Sequence, residues 1–408
     1  MSYKRKLVIA LSVVSLLLAA LCLGCGGGNG KGEKTIVVGM VTDFTGPTAP
    51  ALKPGYLASQ DIINYVNKED PIPGARLKLV AYDQQWNPAR DIPAYDFLKE
   101  RGASVIVVSS SSTAETLKAF LERDKVAIWS TYSTKIQVEP AGWIFASVPP
   151  CPVEVKTLLD YVSKQWDYEF KGRKPRLGCV GWAFPGALEY DDGTTQYCQA
   201  HPDAFDYVGM AVAPVGTTMW HSELERLRQC DYILLGTVAP AGSTFLAQFR
   251  SKGYTANILT TQTCWGFTEI MEKTCGKEAL DGTLSIVYLP WEYPCFFTDL
   301  AKKLLYDKHP GEADDVIRSG LGYSGGGVFN MALCIDILRE AVKEVGAENF
   351  NGQAFYNAAV KFKMTPEGFS ELTLADGVRY ALRDEMIWQY SAESGGLVKL
   401  TDWLPLME

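Results

Sequence analysis

Two α/β lobes, each a Rossmann-like parallel sheet with helices on both faces, are what this sequence predicts, and three observations carry the prediction. Short β-branched runs alternate with stretches of helical spacing from Thr35 onward. That rhythm breaks at the turn-rich segment Val148–Pro152 and then restarts. About 380 residues follow the first 24, more than one hydrophobic core usually serves. Strands alternating with helices imply parallel pairing, because only a crossover connection brings successive strands side by side in the same direction.

In order, Thr35–Thr42 is a β-rich run, and Gly55–Lys68 has helical spacing through Leu57, Ile62, Ile63 and Val66. Arg76–Tyr82 is a strand, Asp91–Arg101 a helix, Val105–Val108 a strand, Ser112–Arg123 a helix and Val126–Trp129 a strand. After the break come helix Val153–Gln165, strand Arg176–Trp182, a helix near Gly193–Ala200 and strand Tyr207–Ala213. Helix Ser222–Arg228, strand Asp231–Leu235, helix Gly242–Lys252 and strand Asn257–Thr260 complete the second series. Leu284–Leu289, the extended segment with Pro290-Trp291 and the helix Gly326–Val345 read as a return to the first lobe. Strand Glu385–Tyr390 closes the chain. The boundaries are therefore 35–149 plus 285–378 for the first lobe and 150–284 plus 379–408 for the second, joined by a multi-strand hinge.

The first residues form a leader. Lys4, Arg5 and Lys6 cap an apolar run from Leu7 to Leu23, and Gly24-Cys25 precedes Gly26-Gly27-Gly28-Asn29-Gly30. This is the layout of a secretory signal over residues 1–24; as a membrane span it is short and wrongly flanked, which makes an uncleaved anchor helix the weaker alternative. The small residue before Cys25 resembles the lipobox of bacterial lipoproteins, although Cys22 stands where lipoboxes usually carry Leu. The resemblance implies that Cys25 is lipidated, that residues 25–34 are a flexible tether, and that the bulk of the chain is extracytoplasmic, anchored to the membrane by its lipid.

Composition narrows the partners. With 47% hydrophobic and 21% charged residues the chain is ordinary for a globular protein. Loss of the three basic leader residues takes the formal charge from −8 to −11, which disfavours nucleic acid and anionic headgroups. Eight of the ten cysteines lie beyond Cys25. Cys179 and Cys334 fall on apolar positions and read as buried free thiols, whereas Cys264 and Cys275, flanking a short helix, are the best disulfide candidate. With only three histidines and no C-x-x-C pair, no metal site and no cofactor are expected.

Ligands of open parallel sheets bind beyond the carboxyl ends of the strands. The loops there are small and polar: Thr42-Asp43-Phe44-Thr45-Gly46-Pro47 after the first strand, Ser109-Ser110-Ser111-Ser112-Thr113 after the third, Ser130-Thr131-Tyr132-Ser133-Thr134 after the fourth. Hydroxyls beside the free first-turn amides of a helix suit a carboxylate or other acceptor.

Thr35–Gly142 resembles the first lobe of periplasmic solute-binding proteins of the branched-chain amino acid (Liv/HAAT) type, which deliver ligands to ABC importers. The features are Gly46-Pro47 after the opening strand, the helix after Gly55, Tyr82-Asp83-Gln84 before Asn87-Pro88, the hydroxyl loop 109–113 and Ser130 through Thr134. Leu177–Gly186 and Tyr323 with its following helix continue the match in order. The resemblance implies a type I periplasmic binding protein fold and a monomer that captures a small molecule by hinge closure and engages a transporter permease. It also implies ligand contacts from Ser110, Ser111 or Ser112, from Tyr132 with Ser133, and from Thr134, with Phe184 closing over the ligand beside Trp182. Thr263-Cys264-Trp265 stands where amino-acid binders carry an acid for the ammonium, and Glu269 is too far into the next helix to replace it. Trp265 is then expected to help cover the ligand. The cargo reads as a short amide, an aromatic acid or a branched-chain amino acid.

Trp291 and Tyr293 read as core or hinge packing, Lys53 as a surface lysine, and Gly325-Gly326-Gly327 as a close-packing device rather than a phosphate loop. Two Rossmann-like lobes also build enzymes, but no G-x-G-x-x-G follows the first strand and no G-x-S-x-G elbow is present. Neither His201 nor His221 has an orienting acid to activate Ser111, so no catalytic residue is assigned. A sensor that hands its liganded form to a membrane receptor shares every pocket feature with a transport protein.

Overall fold

The computed structural model describes residues 33–408; the leader and Cys25 lie outside them. Five strands form the first sheet: β1 (Lys34–Thr42), β2 (Ala75–Asp83), β3 (Ala103–Val108), β4 (Ala127–Ser130) and β5 (Ile144–Ala146), in the order β2-β1-β3-β4-β5. Every pairing in it is parallel. The second sheet begins with β6 (Arg176–Trp182), β7 (Asp206–Ala213), β8 (Tyr232–Leu235), β9 (Asn257–Thr261) and β10 (Leu284–Val287), also parallel to one another. After a two-residue ribbon, β11 (Lys363–Met364) with β12 (Leu372–Thr373), the chain adds β13 (Asp384–Ser391), β14 (Gly396–Lys399) and β15 (Leu404–Pro405). β13 runs antiparallel to β10 and carries β14 and β15 on its other side. Two α/β lobes with the predicted strand-helix rhythm are therefore present.

Three differences from the sequence reading have physical causes. Leu284–Val287 does not return to the first lobe: Leu284 pairs with Leu259 and Gln389, so the crossing follows β10 and the boundary at 284/285 cuts through a strand of the second sheet. The opening helix runs Ala49–Glu69, starting before Gly55 despite Pro54 inside it. Its first turn is held from outside by the buried Asp43 carboxylate, which accepts from the Thr48 amide (2.9 Å) and the Thr48 hydroxyl (2.7 Å). All eight cysteines of the described residues are free thiols. Cys264 donates to the Thr237 carbonyl and Cys275 to the Met271 carbonyl, so each thiol faces a different partner and the predicted pair is unbridged.

The segment around Gly325-Gly326-Gly327 forms wide π-helical turns over Gly322–Phe329 before helix Asn330–Val345. Gly322 and Gly327 pack directly against helix Ala49–Glu69. A Cβ on Gly327 would stand 2.3 Å from the Ala58 Cβ, and one on Gly322 would stand 2.3 Å from the Ala51 carbonyl oxygen. The glycines therefore let two backbones touch. Tyr323 from the same segment donates to Asp61 (2.9 Å), whose carboxylate also meets His309 Nε2 (2.9 Å). Gly327→Ala is expected to cost about 1–3 kcal/mol through overpacking, read as a lower urea midpoint with an unchanged denaturant slope.

Candidate functional site

A cavity with an empty volume of about 830 Å³, its open mouth included, lies between the lobes. Its lining comes from the carboxyl ends of strands in both sheets: Thr48 after β1, Trp86 after β2, Ser109 after β3, Thr131 and Tyr132 after β4, Phe184 after β6, Val238 after β8, Gln262 and Thr263 after β9, and Tyr288 after β10. Asn330 and Gly326 add the start of the long helix, and Glu154 adds the first turn of helix Cys151–Ser163.

Several predicted residues are placed differently from expectation. Tyr132 and Phe184 reach the cavity. In the serine loop it is Ser109 that lines the wall, because β3 ends at Val108 and the helix has already begun at Ser111. Ser110 and Ser112 hydrogen-bond each other (2.9 Å), and the buried Ser111 offers its carbonyl to Gln137 (3.2 Å). The Thr134 hydroxyl donates to Glu115 Oε1 (2.6 Å) and is fully buried, so it is spent inside the first lobe. Ser133 is also buried and accepts the Cys151 thiol at its carbonyl. Trp182 donates its indole N–H to Thr217 O (2.9 Å). Trp265 is the clearest correction: it stacks on Tyr390 (5.3 Å, 9°) and donates to Ser285 (2.7 Å), while its carbonyl accepts from Leu321. It is a joint packed in the core rather than a cover over the cavity. Trp291, bonded to Gly320 O, and Tyr293, packed on Trp388 and Trp403, occupy packing positions.

Trp86 was not singled out in the sequence, yet it faces Phe184 edge-on across the lobes (6.0 Å, 75°). Gln85 and Trp86 both have positive φ, 60° and 53°, a conformation that non-glycine residues adopt only when their surroundings enforce it. The enforcing contacts are visible. Asp83 accepts from the Phe44 amide (2.9 Å), the Thr45 hydroxyl (2.8 Å) and the Gln85 amide (3.3 Å), and Gln85 Nε2 returns to Thr45 (2.8 Å). Burial works to raise the Asp83 carboxyl, but these donated bonds outweigh it and hold it below the usual range. Asp91 accepts from both Gln84 (3.0 Å) and Thr113 (2.8 Å), tying the end of β2 to the helix of the serine loop.

Other contacts join the lobes. The Glu189 carboxylate, on helix Pro185–Ala200 of the second lobe, accepts from the backbone N–H groups of Lys135 (2.7 and 2.8 Å) and Ile136 (3.4 Å) in the first. Burial nevertheless pushes it up to about 7. Tyr132 OH receives the Cys151 thiol (2.9 Å) and lies where a Cβ on Gly186 would be, 2.4 Å away.

Beneath the cavity sits a buried acid that sequence spacing had not marked. Glu154 is 5% exposed and its Oε2 accepts from Tyr190 OH (2.7 Å). Beside it, fully buried Glu385 on β13 has no hydrogen-bond partner for either oxygen. Burial pushes Glu154 up to about 7, against the bond from Tyr190 that works to lower it, and pushes Glu385 well above the usual carboxyl range, with the charge of Glu154 adding to the rise of Glu385.

The sequence profile of the periplasmic binding protein family matches residues 35–375. No curated protein matches the sequence at a significant level. A branched-chain amino acid ABC transporter protein from Thermus thermophilus with bound valine superposes at TM-score 0.80 with 17% identity, over 92% of this chain and 97% of that one. A fatty acid ABC transporter substrate-binding protein from Thermomonospora curvata gives TM-score 0.76 with 18% identity, covering 93% and 94%. An ABC transporter substrate-binding protein from Aeropyrum pernix gives 0.73 with 21% identity, covering 91% and 96%. At these identities the likeness is one of fold.

Glu385→Met should stabilise the protein by about 1–3 kcal/mol at pH 8, since it removes a buried polar group that has no partner. The native carboxyl titrates higher than the unfolded one, so native protein holds the extra proton and wild-type stability falls as pH rises above the unfolded value. The gain in thermal midpoint should therefore be larger at pH 8 than at pH 5.

Proposed function

The chain belongs to the periplasmic binding protein family, a family of binding proteins rather than enzymes, and we propose that it is the solute-capturing component of an ABC importer. It works outside the cytoplasmic membrane, tethered as a monomer through Cys25. The observation that carries this reading is the cavity itself, walled by strand ends of both lobes and open at its mouth. Such a site favours a conformation in which both walls touch the same ligand, so binding energy is realised on closure.

The solute docks first against Ser109, Thr131 and Tyr132 of the first lobe, near the free amides that begin helix Ser111–Asp124. Phe184 then covers it from the second lobe while Trp86 meets Phe184 at the rim. Gln262 and Thr263 supply polar contacts from the end of β9. The Gln262 amide oxygen is already taken by the Tyr288 N–H (3.1 Å), leaving its amide nitrogen as the donor. Glu189 on the amides of Lys135 and Ile136 holds the lobes together once they meet. Ala51, Leu52, Val148, Val238, Phe267 and Leu321 give the remaining wall an apolar surface, which suits a small solute with an aliphatic or aromatic body. Among the similar folds, one holds valine and another belongs to a fatty acid transporter, consistent with such a body.

Thermal unfolding against amino acids, amides and aromatic or aliphatic carboxylates tests the reading. A ligand at 100 times its dissociation constant adds about 2.7 kcal/mol and raises the midpoint. Phe184→Ala should retain the fold and weaken binding by about 1.5–3 kcal/mol, from the apolar surface it no longer covers. Unchanged affinity in Phe184→Ala would contradict the placement of the ligand between the lobes.

A further inference from the structure

The cavity holds one kind of charge-bearing group. Of the residues that line it, Glu154 alone carries a carboxyl, and no lysine, arginine or histidine accompanies it. The other titratable groups facing Glu154 are phenols, a thiol and a second acid: Tyr190 on its own lobe, Tyr132 and Cys151 at the lobe junction, Tyr288 after β10, and Glu385 on β13. Among the described residues no cation compensates the pair. One Glu154 oxygen is taken by Tyr190, which is itself braced on Thr261 (2.9 Å); the other has no hydrogen-bond partner among the described residues. Both Glu385 oxygens are buried and unpartnered. A carboxyl kept in an apolar wall without a cation is costly to ionise, and the cost is removed when a positive charge arrives beside it.

We propose that Glu154, backed by Glu385, receives a protonated nitrogen of the solute, so that the cargo is a cationic or zwitterionic amine with an apolar body rather than a simple anion. The proposal rests on the interlobe cavity being the solute site. The aromatic rings of Trp86, Tyr132, Phe184 and Tyr288 line the same cavity, and aromatic π-systems are compatible with a cationic group. The acid that amino-acid binders carry near Thr263 is thus replaced from a different element, the first turn of helix Cys151–Ser163. Without a cation beside it, burial lets the Glu154 carboxyl hold its proton to higher pH than a solvated acid does. Arrival of an R–NH3+ group leaves an ammonium–carboxylate contact and releases the carboxyl proton to solvent, with no change in the covalent bonds of the solute. Affinity therefore rises with pH across the Glu154 titration.

Isothermal titration with L-leucine, isoamylamine and 4-methylpentanoate, in buffers of differing ionisation enthalpy, separates the possibilities. The expected result is binding of a nitrogen-bearing probe, a heat that tracks the buffer because a proton is released, and at least a tenfold loss of affinity with no remaining pH dependence in Glu154→Gln. The wild-type probe and buffer series decides by itself if Glu154→Gln does not fold. Binding of 4-methylpentanoate as tight as L-leucine, with no proton release, would overturn the cation assignment and leave solute capture standing. Silence of all three probes, together with no midpoint shift across the wider thermal panel, would overturn the solute-capture reading and this proposal with it.

Discussion

Parallel strand pairing constrains everything else in this molecule. A parallel strand can be followed by its neighbour only through a crossover, so all loops that leave the carboxyl edge gather on one side of the sheet. Both sheets obey this rule, and the cavity lining is drawn from the ends of β1, β2, β3, β4, β6, β8, β9 and β10. The site follows from topology before any particular side chain is considered. Chemistry is then a matter of which short loops stand at those edges and how firmly they are held.

The holding is done by carboxylates, Asp43 and Asp91 buried, Asp83 and Glu189 partly so. Asp43 braces the first turn of the opening helix, Asp83 fixes the loop that carries Trp86 in its left-handed turn, and Asp91 joins that loop to the serine helix. Glu189 performs the corresponding task between the lobes by accepting backbone amides of Lys135 and Ile136. Each of these acids has donors around it, which is what a buried carboxylate requires. Glu154 and Glu385 do not follow that pattern. They are buried, the charge of Glu154 adds to the cost of ionising Glu385, and Glu385 has no donor at either oxygen while Glu154 has one. Unsatisfied groups of this kind concentrate where a ligand completes the set.

The sequence was legible where periodicity is strong. Strand Arg176–Trp182 has the predicted bounds, and most other strands and helices of both lobes differ by only a few residues, because alternating β-branched runs and helical spacing leave little freedom. Three-residue β5 carries too little pattern to find. The crossing after β10 was misplaced because a short buried strand of either sheet reads as the same apolar run. At the site, the hydroxyl loops were located, but spacing cannot say which hydroxyl turns outward: Ser109 lines the wall while Thr134 is committed to Glu115. Trp86 depends on a positive φ that no local pattern announces. Glu154 looked like any acid in the first turn of a helix, where the dipole favours it. Only the arrival of Glu385 from a strand more than two hundred residues later makes it unusual.

Hydrogen–deuterium exchange of the protein with and without a solute that raises its thermal midpoint reads both walls of the cleft in one experiment. Capture between the lobes predicts concerted protection of the segments around Ser109–Ser112 and Thr131–Ile136 in the first lobe and Phe184–Glu189 and Gln262–Thr263 in the second. Protection confined to one lobe, or to a surface away from these strand ends, would contradict it.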